Sequence, residues 1–303
     1  MGISSGEPVT TIGVIGLGDI GRGVADAVVR AGLDLGVCDL RSDATDPYAE
    51  SSHVAADPTS LGARSDVVVV AVVDDRQVLA VLDGADGALA GMARGATVVI
   101  LSTVSLETVE SVAASASARG VDVVDCGVSG GPAAATEGTL VAMVGGDAAA
   151  IERVRPVLDS FTSLVVHMGP LGAGLKAKLA RNLVQYGSWL AAYEAQVLAE
   201  AAGIELSKLA EVIRASDKLI GGASRLMFRE TVAPLPPDSH PGIVSAMAAG
   251  AGLAHKDLRA AIALGETLGV ELPLATMTDV RCDAVFGITG FSTASSETGG
   301  EVS

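Results

Sequence analysis

The chain has 303 residues, enough for two domains with substantial cores. Hydrophobic residues make up 49% but aromatics only 3%, so those cores are predicted to be built from Ala, Val, Leu and Ile. The longest unbroken aliphatic run, 67–73, falls far short of the roughly 20 residues a bilayer span requires, and a formal charge of −16 opposes nucleic acid and anionic membrane surfaces as partners. Cys38, Cys126 and Cys282 are odd in number, far apart and in apolar settings, which reads as reduced packing cysteines in a cytoplasmic protein.

Residues 1–8 have neither a basic region nor an apolar stretch and are expected to be a disordered leader rather than a signal peptide. Next, Thr11-Ile12-Gly13-Val14-Ile15 reads as a buried strand, and Val24, Ala25, Ala27, Val28 and Ala31 recur at helical spacing. Between them stands Gly16-Leu17-Gly18-Asp19-Ile20-Gly21, where a strand turns into a helix. A second apolar run ends at Asp39, 18 positions past Gly21. Strand, glycine turn, helix and distal acid together predict a dinucleotide site. Gly16 permits the turn, Gly18 lets backbone approach a pyrophosphate, and Gly21 allows helix and strand to pack closely. Orphan N–H groups at the helix start favour the phosphates. Asp39 suits ribose hydroxyls and opposes a 2′-phosphate, favouring NAD. Arg41 points the other way, since an arginine there can stack on adenine or pair with a phosphate, so NADP stays open.

Further strands are expected at 67–73, 97–101, 121–124, 140–144 and 164–167, with helices near 75–82, 86–93, 105–118 and 148–160. This alternation predicts an α/β domain over 9–170 with a Rossmann-type, mostly parallel sheet. Val72 and Val73, closing the third strand, join the cofactor-facing set. Asp125-Cys126-Gly127-Val128-Ser129-Gly130-Gly131-Pro132 follows a strand directly, at the edge where such folds bind ligands. Its hydroxyl and accessible N–H groups suit a carboxylate, although a plain Gly-Gly turn looks the same.

Past Gly169-Pro170-Leu171-Gly172-Ala173-Gly174 the strand patterns stop, predicting an all-α second domain over 171–289. Its spine is a helix from Leu175 to about Ala202, roughly 40 Å long at 1.5 Å per residue. Shorter helices are expected near 207–216, 223–230, 243–265 and 273–286, a loop at 234–242, and a disordered Ser/Thr/Gly-rich tail at 290–303. Lys178 and Asn182 share a face of the long helix, while Lys176 points elsewhere. Hydride transfer from an alcohol needs a group that takes the hydroxyl proton, and a lysine qualifies if burial and neighbouring positive charge, from oxidised nicotinamide or Lys256, lower its pKa. Solvation of a surface lysine is the bland alternative. Lys256-Asp257-Leu258 alone is a polar helix edge.

In this order and spacing the elements resemble the β-hydroxyacid dehydrogenase family, which includes 3-hydroxyisobutyrate, tartronate semialdehyde and L-threonate dehydrogenases. The likeness covers roughly residues 9–288, through the loop at 16–21, Ser102-Thr103, Asp-x-x-Val-Ser-Gly-Gly at 125–131, Gly-x-Gly-x-x-x-Lys-x-x-x-Asn at 172–182 and Lys-Asp-Leu at 256–258. It implies that Lys178 is the catalytic acid/base with Asn182 beside it, and that Ser129, Gly130 and Gly131 bind the carboxylate of a small anionic hydroxyacid. It also implies that Thr103 and Lys256 lie at the nicotinamide end, and that the chain forms homodimers or homotetramers through its helical domain. None of these positions is read as a metal ligand. Ile20 replaces the usual Met, Arg181 the common Asn, and the closing serine-containing acidic segment is missing. Two other functions fit the outline: imine reduction on the same architecture, and NAD binding without catalysis.

Overall fold

The computed structural model describes residues 11–227, 229 and 231–289, so the expectations for 1–8 and 290–303 lie outside the described residues. The chain divides into two compact units, 1–182 and 183–303.

The first unit is built on eight strands: β1 (Thr11–Ile15), β2 (Asp34–Cys38), β3 (His53–Val54), β4 (Val67–Val70), β5 (Thr97–Ile100), β6 (Asp122–Ser129), β7 (Leu140–Gly145) and β8 (Thr162–Gly169). They lie in the order β3-β2-β1-β4-β5-β6-β7-β8. All neighbours run parallel except β6 and β7, which pair antiparallel with Ser129 opposite Val141. Helices α1 (Asp19–Arg30), α2 (Ser42–Thr45), α3 (Pro58–Arg64), α4 (Asp75–Leu82), α5 (Ala88–Gly91), α6 (Leu106–Ser117), α7 (Gly131–Glu137) and α8 (Ala148–Phe161) connect them. The run Val67-Val68-Val69-Val70 explains the layering. Val67 and Val69 enter the core beneath α1 and α8, whereas Val68 and Val70 enter the core beneath α4 and α6. Successive strand residues point to opposite faces, and a strand covered on both sides needs no polar alternation.

Several boundaries depart from the sequence expectation. Beyond Val70 the third run leaves the sheet, because both the N–H and the carbonyl of Val72 bond to the Ser102 hydroxyl instead of a neighbouring strand. β6 continues to Ser129 rather than ending at residue 124, since β7 supplies it with an antiparallel partner. Helix α7, β3 and α3 have no counterpart among the expected elements.

A long helix, α9 (Ala173–Ala201), begins in the first unit and continues into the second. It is followed by α10 (Leu206–Ile220), α11 (Pro241–Leu268) and α12 (Pro273–Val285). Where a helix is expected over 223–230, the described residues form one 3₁₀ turn, Gly222–Ser224, after Gly221 closes α10 at φ +87°. The loop 234–242 is shorter than its prolines suggested, since Pro241 opens α11 in the first turn, where no N–H is needed. Within the second unit the buried Glu194 accepts the Leu274 and Ala275 amides at 2.6 and 3.0 Å, closing the start of α12. Arg259 and His255 on α11 pair with Asp279 on α12, and His255 also reaches Asp283. The three cysteines are free and buried, and among the described residues no helix is long and apolar enough to cross a membrane.

Candidate active site

The glycine loop follows β1. Gly16 sits at φ +88°, and a Cβ there would stand 2.6 Å from the Ala71 carbonyl oxygen. A Cβ on Gly21 would overlap the Gly16 carbonyl oxygen itself, so helix and strand approach here only without side chains. Gly18 has open space on its side-chain direction and begins α1 without any side-chain cap. The first-turn amides therefore have neither an intrahelical partner nor a capping oxygen. A bare, positively polarised helix start beside a glycine that admits close approach fits a pyrophosphate. Asp19 is exposed in that first turn, while Leu17 and Ile20 pack into or against the core.

Asp39 stands just past β2. Its Oδ2 accepts the Leu17 N–H at 2.7 Å; its Oδ1 accepts the Arg41 N–H at 2.9 Å and pairs with Arg41 Nε at 3.3 Å. Burial acts to raise its pKa, but the Leu17 and Arg41 bonds outweigh this and hold the carboxyl below its ordinary range. Asp39 therefore also braces the glycine loop. Arg41 donates to the Leu17 carbonyl as well, at 3.4 Å. Farther along this edge, the Ser102 hydroxyl latches Val72, leaving Val73 and Thr103 exposed at the ends of neighbouring connections. Asp75 braces the same region by accepting the Ser105 N–H and the Ser105 and Thr108 hydroxyls, bonds that lower its pKa to about 2.

The second half of the site joins β6 to the start of α9. Asp125, Gly127 and Ser129 alternate along β6 and so share a face. Asp125 is 2% exposed, and its two oxygens accept the Gly172 and Leu175 amides, each at 2.6 Å. A Cβ on Gly127 would stand 2.5 Å from Lys178 Cβ, and Lys178 Nζ donates to the Val128 carbonyl at 2.5 Å. The amine is thereby half-buried at the head of the Ser129-Gly130-Gly131 turn. Gly130 and Gly131 take φ +133° and +73°, and Gly131 has open space where a side chain would be. Burial, and then the charge of Arg181, lower the Lys178 pKa. Asn182, one turn along, accepts from Arg181 at 3.4 Å, and Lys176 is exposed. Lys256 lies in the second unit, on α11, exposed and paired with Asp257 at 3.1 Å.

The structure thus gathers the turn at 129–131 and Lys178, and separately Gly16–Gly21 with Asp39 and Arg41. Sequence pattern alone assigns no role to Asp125, Gly127, Ser102 or Asp75. The first two stand inside the 125–132 motif, two residues apart on a strand, a spacing that flags a shared face. The cation that acts on Lys178 is Arg181, three residues ahead on the same helix, a neighbour to which the sequence reading gave no part in lowering the lysine pKa. Among the described residues no three His, Cys, Asp or Glu side chains gather to hold a metal.

Two family profiles match consecutive segments: the NAD binding domain of 6-phosphogluconate dehydrogenase over residues 11–169, and the NAD-binding domain of NADP-dependent 3-hydroxyisobutyrate dehydrogenase over 172–285. An uncharacterized oxidoreductase of Mycobacterium tuberculosis is 40% identical over 91% of this chain and 93% of its own length. The L-threonate dehydrogenase of Cupriavidus necator is 38% identical over 67% of this chain and 69% of its own. Among solved structures, a putative oxidoreductase from Mycobacterium avium superposes with a TM-score of 0.84 at 36% identity, covering 92% of this chain and 99% of that one.

Proposed function

We propose, for a chain that belongs to the β-hydroxyacid dehydrogenase family of NAD(P)-dependent oxidoreductases, that it oxidises or forms a small 3-hydroxy carboxylate with Lys178 as the general acid/base. One observation carries this reading: the Lys178 amine is held 2.5 Å from the Val128 carbonyl, beside a turn with a hydroxyl and glycine N–H groups. Ser129, Gly130 and Gly131 bind the substrate carboxylate through that hydroxyl and those N–H groups. Neutral Lys178 takes the substrate hydroxyl proton in oxidation; in reduction the protonated amine gives it back. Burial and the nearby guanidinium of Arg181 increase the neutral fraction at a given pH. Asn182 hydrogen-bonds the substrate or orients the amine.

Gly16–Gly21 and the start of α1 would hold the cofactor pyrophosphate, Asp39 and Arg41 its adenosine end, and Val72, Val73 and Thr103 its nicotinamide half. When bound, the cofactor supplies the acceptor and donor of hydride. NAD is the preferred form, because Asp39 is held ionised where it repels a 2′-phosphate. Residues 9–170 serve the nucleotide, and 171–289 serve substrate and assembly. A homodimer or homotetramer is supported by the second unit's exposed apolar side chains, among them Leu183, Tyr186, Trp189 and Leu190. Reduced, buried cysteines suit a cytoplasmic enzyme.

The test is Lys178→Ala. It should fold and bind NAD, yet lose turnover on a panel of C3–C6 3-hydroxyacids followed by NADH absorbance. Activity within tenfold of wild type would overturn the assignment. Lys178→Arg should fail as well, since a guanidinium stays protonated.

A further inference from the structure

We infer that Asp125 is the positioning residue of the site: from beneath the sheet edge it fixes the first turn of α9, and through that turn the place of the Lys178 amine. The geometry is unusual for a helix start. Of its own approach, the Pro170 carbonyl accepts the Ala173 amide at 2.9 Å. A buried carboxylate from a strand some 50 positions earlier accepts two of its orphan amides, Gly172 to Oδ1 and Leu175 to Oδ2. Such amides have no acceptor within the helix. Leu175 and Lys178 are three apart and share a helix face, just as Asp125, Gly127 and Ser129 share a strand face. Strand and helix are therefore read in step: Asp125 against Gly172 and Leu175, Gly127 against the stem of Lys178, the Val128 carbonyl against its amine.

The backbone on both sides is stripped to allow this. A Cβ on Gly145 would collide with Asp125 Oδ1, and one on Gly174 would collide with the Met143 and Asp125 carbonyl oxygens. Any side chain at either position would lift α9 from the β6–β7 pair. The Asp125 carboxylate spends its hydrogen bonds on the backbone of α9, so it acts through the helix.

A role through charge and a role through position predict opposite shifts at Lys178 when Asp125 is removed. The charges along the facing elements are Asp122 and Asp125 on β6, and Lys176 and Arg181 in the first turns of α9. Through charge alone, a carboxylate near the amine would favour its protonated form, so its removal would lower the Lys178 pKa. As a clamp, Asp125 keeps the amine partly out of water, so its removal lets the amine return to solvent and raises the pKa. Positioning predicts the second.

The experiment compares Asp125→Asn with Asp122→Asn. Asp122 begins the same strand and pairs with Arg153 at 2.5 Å, at the end away from the amine. Lys178 labelling by a limiting amine-reactive reagent, read by peptide mass spectrometry across pH, reports the amine without any turnover. With Asp125→Asn the labelling midpoint should move to higher pH, and kcat should fall at least tenfold with the KM for NAD unchanged. With Asp122→Asn neither should move. A midpoint that stays put or moves to lower pH would overturn the inference. In the wild-type enzyme the Gly172 and Leu175 amides should exchange hydrogen as slowly as interior strand amides; fast exchange would overturn it even if the Asn variant failed to fold. The kinetic part rests on Lys178 being the proton-transfer group, and the labelling part does not. A raised midpoint together with an active Lys178→Ala enzyme would sink the acid/base reading and leave the clamp standing.

Discussion

Replacing Gly127 by alanine adds one methyl group between β6 and α9, and the structure fixes what that methyl meets. Its nearest neighbour would be Lys178 Cβ at 2.5 Å, with Gly174 O and Lys178 Cγ both at 3.1 Å. Ordinary carbon contacts lie at roughly 3.5–4.0 Å, so the Lys178 stem must retreat by about 1–1.5 Å. Gly127 does not have a positive φ, hence the substitution strains no backbone. On chain entropy alone it would stabilise by about 0.4–1 kcal/mol. Overpacking typically costs about 1–3 kcal/mol, which exceeds that gain over most of its range. The expected net loss is about 1–2 kcal/mol, or roughly 2–4 °C in Tm per kcal/mol for a unit of this size. Catalysis should suffer more. A 1 Å misplacement costs about 100-fold in rate, equivalent to about 2.7 kcal/mol of barrier. Steady-state kinetics with a saturating hydroxyacid, alongside a thermal melt, read both effects. The KM for NAD should not change, because the glycine loop at 16–21 is untouched. A Gly127→Ala enzyme more stable than wild type, with kcat within threefold, would refute the reasoning.

Other expected outcomes follow from the same structure. Asp39→Ala removes the acceptor of the Leu17 amide together with the charge proposed to face the adenosine end, so the KM for NAD should rise several-fold while NADP loses less; equal losses would contradict the assignment. Arg181→Gln removes a charge that lowers the Lys178 pKa, and the acid limb of kcat/KM for alcohol oxidation should move to higher pH. In the second unit, hydrogen bonds to Asp279 and Asp283 raise the His255 pKa. A raised folded-state pKa contributes stability that is complete below the unfolded value of about 6.5 and is lost as pH climbs through the folded one. Melting curves should therefore weaken over that interval in wild type, and His255→Gln should flatten the dependence.

What could be read from the sequence was whatever local pattern alone decides. The loop at 16–21 was legible because strand, glycines, helix and Asp39 fall within one short stretch. The four valines at 67–70 announced a strand buried on both faces. Helix α7 went unseen because Gly130-Gly131 looks like a plain turn, yet Pro132 in its first turn and Gly138 at φ +73° are ordinary start and stop signals. β3 has two residues and α3 seven, too few for periodicity to register. β6 was cut short at residue 124 because Gly127 weakens the strand pattern, and its antiparallel partner β7 is a non-local fact. Asp125 illustrates the limit most sharply. Its carboxylate matters through amides 47 and 50 positions away, a separation no window of sequence contains.

The central claim is that one amine, that of Lys178, carries the substrate proton. Its most direct test is amine rescue of Lys178→Ala, measured as the rate of NADH formation with added small primary amines of graded basicity. The account requires a rate that rises with amine concentration and, across amines, tracks their basicity, while the acid limb of wild type is gone. Turnover indifferent to every added amine, with the wild-type acid limb still in place, would contradict it.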